Sequence, residues 1–83
     1  MLKTYKYNPK DFEGIQHMSD DLTTFYHALE KYNTNKNFDN EITLRDAIED
    51  VELTLKHRTL DGHINPGLAD EIDNYIGGLI RNA

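Results

Sequence analysis

The 83-residue sequence contains no cysteine, no tryptophan and only two prolines, and its acidic residues outnumber its lysines and arginines by 15 to 9. Without cysteine, the chain can form no disulfide, no thiolate-ligated zinc or iron–sulfur centre and no thiol nucleophile. The formal net charge of −6 argues against binding to duplex nucleic acid, because phosphate backbones are bound by concentrations of lysine and arginine.

Long apolar runs are also missing from the sequence. No stretch approaches the roughly 20 apolar residues that a membrane-spanning helix needs, and no apolar segment typical of a signal peptide follows the basic start of the chain. We therefore expect a cytoplasmic protein that does not contact membranes. The length predicts a single helical domain over residues 1–83.

What the chain does contain is helical periodicity in three segments. Asn8-Pro9 and Asn65-Pro66 each place a capping asparagine before a proline at the first helical position. Apolar residues follow at spacings of three and four, as on one side of a helix. Together these signals predict helices over about residues 9–32, 44–58 and 66–81.

The first of these segments has two interpretations. Its apolar residues stay in phase through Ser19, which favours one continuous helix, whereas Gly14 and the capping residue Ser19 also allow a break. We interpret residues 1–8 as a short extended arm whose Tyr5 and Tyr7 pack on the helices; a strand paired with a partner chain is the alternative. The predicted fold is all-α, a compact three- or four-helix bundle with this N-terminal arm.

Charge is unevenly distributed along the chain. The first ten residues contain three lysines and no acid, whereas residues 11–52 contain eleven acids and three bases. The middle helix places acids opposite its apolar face, and Leu53 also falls outside that face. We predict that a partner protein, with a basic surface favoured, binds Asp46, Glu49, Asp50 and Leu53. An acidic face that serves only solubility is the simpler interpretation.

The asparagine-rich segment after the first helix resembles one known pattern. Taking Asn35 as position 1 of an EF-hand loop places Asn37 at position 3, Asp39 at position 5 and Asp46 at position 12. The resemblance covers about 12 residues and implies a calcium-binding loop between two helices. The sequence departs from the EF-hand pattern in having asparagine at position 1 and aspartate, not glutamate, at position 12.

Other chemistry has less support in the sequence. The four histidines show no metal-ligand spacing such as H-E-x-x-H, and the single serine and the carboxylates form no recognisable catalytic arrangement. We therefore expect no enzymatic activity, no cofactor and no metal apart from the calcium-loop candidate.

The sequence thus favours a small acidic regulatory protein that binds another protein, with homodimerisation as a way to extend a small core. Abundant Asn, Lys, Asp, Ile and Tyr are typical of a low-GC bacterium or its phages and plasmids, so an accessory protein or inhibitor of that kind is the form we expect. Two alternatives stay open. One is a calcium-responsive helix–loop–helix module, and the other is nucleic-acid contact through the basic N-terminal arm.

Overall fold

The computed structural model describes residues 5–82 and contains three α-helices, preceded by one turn of 3-10 helix. The 3-10 turn spans Pro9–Phe12, and the α-helices are α1 (Met18–Thr34), α2 (Phe38–Leu60) and α3 (Pro66–Arg81). The radius of gyration of the Cα atoms is 12.4 Å, close to the roughly 12 Å expected of a compact chain of this length. The first four residues of the predicted arm lie outside the described residues.

The prediction of one continuous helix over residues 9–32 is wrong, because the chain is not helical between the 3-10 turn and α1. The Asn8 side chain caps the short 3-10 turn by accepting a hydrogen bond from the Lys10 amide at 3.0 Å. The chain then turns at His17, whose φ of 66° lies in the left-handed region, and α1 begins at Met18. Phe12 and Met18 are both buried, so the turn brings side chains from both sides of the break into the core.

Replacing His17 with glycine should stabilise the protein by about 1 kcal/mol, because an L side chain in the left-handed region carries a cost of about 1–2 kcal/mol that glycine avoids. The matched control is His27→Gly, at an exposed position inside α1, which should lose a few tenths of a kcal/mol. Both changes add the same conformational entropy to the unfolded chain. The difference between the two variants in urea unfolding therefore reports the cost of the left-handed backbone at His17. Equal losses of stability would contradict the prediction.

A turn of three residues joins α1 to α2, and Asn40 holds it together. The buried Asn40 side chain donates a hydrogen bond to the Asn35 carbonyl oxygen at 2.8 Å. The backbone N–H of Asn40 donates to Asn37 Oδ1, also at 2.8 Å. Asn37 therefore caps the helix, and α2 begins at Phe38, earlier than the sequence predicts. Most of the long polar loop expected after the first helix is helical instead.

The hydrophobic core lies between the helices. Its largest fully buried side chains come mainly from α1, and α1 packs along α2 more extensively than α3 does. The buried apolar residues of α2 are Leu44, Ala47, Val51 and Leu55. Because these four recur at helical spacing, they occupy one side of α2 and leave its other side free of the core.

The turn between α2 and α3 is set by backbone hydrogen bonds to Arg58. Its carbonyl oxygen accepts from the amides of His63 at 2.9 Å and Ile64 at 3.1 Å, and Gly62 adopts a φ of 84° that glycine tolerates without strain. Ile64 is thereby brought into the core. Asn65 then caps α3, whose bounds are those that the sequence predicts.

Candidate functional site

Among the residues that the structure describes, every exposed large apolar side chain lies on α2. Phe38 is 71% exposed, Ile42 40%, Leu53 53% and Leu60 76%. A single exposed leucine is ordinary on a protein surface, but four large apolar side chains on one helix form a pattern. We call these four residues the outer stripe.

The outer stripe lies on the side of α2 that faces away from the core. At about 100° per residue, its four members fall within about 60° of the helix circumference, roughly opposite the buried apolar residues. The helix is 23 residues long and has apolar side chains on two opposite sides. The fold uses only one of these sides, so the second is left for solvent or for another molecule.

Acidic side chains run along one edge of the outer stripe. Asp39, Asp46 and Asp50, which we call the acidic border, lie within about 40° of one another beside the stripe, and Glu49 lies among the stripe residues themselves. All four are exposed. Among the described residues, none of these four carboxylates forms an ion pair. Lys56 lines a surface depression together with Glu49, so the negative charge without a nearby cation is concentrated on the acidic border.

The other edge of the outer stripe is mixed in charge. Arg45 Nη2 lies 3.9 Å from Glu41 Oε2, one turn away on the same helix, and such an exposed pair contributes only a few tenths of a kcal/mol. Nearby, a shallow surface depression of about 460 Å³ is lined by Glu49, Glu52, Leu53 and Lys56. The net negative charge of this side of α2 therefore comes mainly from the acidic border and Glu49.

The four residues predicted from the sequence to bind a partner lie together on this face. Asp46 and Asp50 belong to the acidic border, Leu53 belongs to the outer stripe, and Glu49 lies between them. Sequence reasoning missed the remaining members of the same face, because the predicted helix began too late and ended too early. The signal that could have found them is the spacing of the stripe residues by 4, 11 and 7 positions, each close to a whole number of helical turns.

The calcium-loop interpretation does not fit the geometry of α2. Asn35 and Asn37 lie in the turn before the helix, where the Asn37 side chain is used as the cap, and Asp39 and Asp46 lie on the helix itself. An EF-hand loop gathers its ligands around one ion from about 12 consecutive loop residues, which a helix cannot do. Among the described residues, no group of three or more His, Asp or Glu is placed to hold a metal ion.

One histidine does contact a carboxylate, in the turn between α2 and α3. His63 Nδ1 lies 2.7 Å from Asp61 Oδ1, and Arg58 Nε lies 3.0 Å from Asp61 Oδ2. Desolvation raises the pKa of Asp61, but the hydrogen bonds from His63 and the charge of Arg58 outweigh it, so the pKa of Asp61 lies below its ordinary value of 3.8. Since the same residues shape the turn, we assign this cluster to the fold.

Tyrosine side chains connect the start of the described chain to α1 and α3. The Tyr5 ring stacks on Tyr26 with centroids 3.9 Å apart, and its hydroxyl donates to Glu30 Oε2 at 2.8 Å. The Tyr26 hydroxyl donates to the Tyr7 carbonyl oxygen at 2.6 Å, and Tyr7 meets Tyr75 of α3 edge-on at 5.3 Å. This cluster packs residues 5–7 against α1 and α3, away from the outer stripe on α2.

Strongly alkaline pH should destabilise the protein through two of these tyrosines. Burial raises the pKa of Tyr26, and burial together with the hydrogen bond to Glu30 raises that of Tyr5, in both cases above the ordinary value of 10.0. The unfolded chain therefore ionises first, so the stabilisation is complete below pH 10 and is lost as the pH rises towards the folded-state pKa.

Urea unfolding at about pH 8 and about pH 11 checks this loss. We expect a lower free energy of unfolding at the higher pH, and a smaller decrease for Tyr26→Phe, which has one fewer phenol to ionise. An equal decrease in the variant would contradict the assignment to Tyr26.

The surface between α2 and α3 adds further negative charge next to the outer stripe. A groove of about 320 Å³ there includes Leu60 of the stripe in its lining. Three carboxylates, those of Glu52, Asp70 and Asp73, also line it, with Lys56 as the basic side chain. The acidic character of the molecule therefore continues from the outer side of α2 towards α3.

Within the described residues, no helix is both long enough and apolar enough to cross a bilayer. No family model, curated protein or solved structure matches this chain.

Proposed function

We propose that this chain is a small, non-enzymatic regulatory or accessory protein whose partner protein docks on the outer face of α2, meaning the outer stripe, the acidic border and Glu49. One observation carries the proposal: the large apolar side chains left exposed among the described residues all lie on this face. Exposed large apolar side chains gathered on one face, with polar residues beside them, commonly mark a binding site on a protein surface.

The energetics of the outer stripe support docking. Fully burying one large apolar side chain is worth about 1.5–3 kcal/mol, and these four side chains are between 40% and 76% exposed. A partner that covered them would gain roughly 5 kcal/mol from apolar burial before the cost of association. Interfaces concentrate their energy in a few central apolar anchors with polar residues around them, which is how the stripe and the border are arranged.

The proposal includes a finer description of the fold. We interpret the three helices as a bundle and residues 1–8 as an extended arm. The packing of Tyr5 on Tyr26 and of Tyr7 on Tyr75 supports this interpretation. In such a bundle α2, the longest helix, offers its outer side as a rigid platform, because its inner side is fixed by the core.

Capture of partners from a lysate of the source organism tests the proposal with three immobilised forms of the full chain. These are the wild type, the outer-face variant Asp46→Asn/Glu49→Gln/Asp50→Asn, and the control variant Asp11→Asn/Glu13→Gln/Asp20→Asn. Both variants remove three exposed acids, so total charge is matched. Circular dichroism establishes that both are folded.

We expect at least one protein that the wild type and the control retain and that the outer-face variant loses. That protein, once purified, should bind the wild-type chain directly and show the same dependence on the three acids. Identical capture by all three forms, or none at low salt, would contradict the proposal.

A further inference from the structure

We propose that the element seated on the outer face of α2 is a basic amphipathic α-helix of the partner protein, lying along α2 from Phe38 to Leu60. This inference rests on the function proposed above and specifies its partner. Three features of the face carry it: the shape of the outer stripe, the position of the acidic border, and the charge that a second copy of this chain would bring.

The shape of the outer stripe matches a helix. The stripe is narrow, straight and about 33 Å long, given the rise of 1.5 Å per residue between Phe38 and Leu60. A partner helix presents an apolar stripe of the same width, with side chains that fit between those of α2. An extended peptide would need unpaired backbone groups, as at the edge of a sheet, but the backbone groups inside α2 are hydrogen-bonded to one another.

The acidic border defines the charge of the partner helix. Asp39, Asp46 and Asp50 follow one side of the stripe, and these carboxylates have no cationic partner among the described residues. Lysines or arginines along one edge of an amphipathic helix would face them when its apolar side covers the stripe. Acids and bases matched in this way steer association and fix which side of the helix faces which.

Charge also gives the partner helix a direction. Lys56 and the neighbouring His57 lie near the carboxyl end of α2 and are exposed, whereas the acids of the helix end at Glu52. The basic residues of the partner should therefore be concentrated over the first two-thirds of α2. The part that lies beside Leu60 should carry few cations.

A second copy of this chain is a poorer occupant of the face. Between residues 38 and 60 the chain has six acids and three lysines or arginines. Two copies joined through this face would bring like-charged surfaces together, and like charges across an interface disfavour association. The observations therefore favour a partner of opposite charge over a homodimer through α2.

The inference is tested by titrating the isotope-labelled full chain with three synthetic peptides. Each has about 24 residues, so that as a helix it covers the whole length of α2. The first peptide is amphipathic, with leucines on one side of the helix and lysines on the others. The second contains the same residues in an order without helical periodicity, and the third has glutamate in place of lysine. Amide shifts of the chain report affinity and location.

We expect only the first peptide to bind, with shifts concentrated on α2. The acidic-border variant Asp39→Asn/Asp46→Asn/Asp50→Asn should weaken its binding by about 10-fold or more, whereas Asp11→Asn/Glu13→Gln/Asp20→Asn should change it by less than about 2-fold. Equal binding of the second peptide, or an unaffected acidic-border variant, would overturn the inference.

The oligomeric state of the free chain is the second readout. A dimer by light scattering that Leu53→Asp converts to monomer would show a second copy on the face and would also overturn the inference. If the peptides fail to bind but capture from lysate still depends on the outer-face acids, only the helical identity of the partner is lost. If both experiments fail, the proposed function is lost as well.

Discussion

Replacing Tyr26 with alanine is expected to lower the free energy of unfolding by about 4 kcal/mol, since large-to-small changes at buried aromatic residues cost about 3–5 kcal/mol. The Tyr26 side chain is fully buried. It packs against Phe25 and beneath Tyr5, and its hydroxyl reaches the Tyr7 carbonyl oxygen. Alanine would leave a cavity and remove both the ring stacking with Tyr5 and the hydrogen bond to the Tyr7 carbonyl oxygen.

Urea unfolding followed by circular dichroism measures this loss. A domain of this size has a total stability of roughly 4–12 kcal/mol, so Tyr26→Ala could be unfolded in water. The companion variant Tyr26→Phe keeps the ring and loses only the hydrogen bond, and it should be weaker by about 1 kcal/mol. Similar stabilities of Tyr26→Ala and the wild type would show that this cluster does not hold the fold together.

Replacing Phe38, Ile42, Leu53 and Leu60 together with glutamine is expected to weaken binding of the basic amphipathic peptide by about 100-fold, or about 2.7 kcal/mol. The physical reason is that the four side chains are the apolar anchors of the proposed interface. Because they are exposed and glutamine is a good helix former, the free energy of unfolding should change by less than about 1 kcal/mol.

The matched control for this variant is Val51→Gln on the buried side of α2. A single glutamine there should lose several kcal/mol of stability, because burying a polar group without partners is unfavourable. Substitutions on the outer side of α2 should thus weaken binding, whereas the substitution on its buried side should lower the free energy of unfolding. Loss of stability in the fourfold variant comparable to that of Val51→Gln would mean that the outer stripe belongs to the core.

The helical segments could be predicted from the sequence where local signals agree. In α3, the Asn65-Pro66 start coincides with a single apolar face, and the bounds match the structure. In the first segment the apolar periodicity continues through the break at His17, so periodicity alone cannot locate it. The left-handed backbone there joins two buried side chains, Phe12 and Met18, which is a requirement of packing and not of local sequence.

The start of α2 could not be predicted because two capping signals compete. Asn37 and Thr43 are both residue types that cap helices well, and Thr43 directly precedes the helix predicted over about residues 44–58. In the folded chain, the Asn40 side chain bonds to carbonyl oxygens at the end of α1, and this tertiary contact selects the earlier start. The Thr43 hydroxyl instead donates to the Asp39 carbonyl oxygen inside the helix at 3.0 Å.

That error concealed most of the candidate site. A helix over residues 44–58 contains only Leu53 of the outer stripe, so the exposed face predicted from the sequence consisted mostly of acids. The three acids predicted from the sequence, Asp46, Glu49 and Asp50, do lie on the outer face of α2. Their role changes, because they now flank or interrupt an apolar surface instead of forming a purely charged one.

Isotope-filtered nuclear Overhauser spectroscopy on the complex shows which methyl groups of the chain touch the leucines of the basic amphipathic peptide, and so tests most directly whether the outer face of α2 binds it. We predict intermolecular contacts to the methyl groups of Ile42, Leu53 and Leu60. Contacts to Ile48, Ala69 and Ile80, beside the space between α2 and α3, with none to the outer stripe, would contradict the claim that the outer face of α2 is the binding surface.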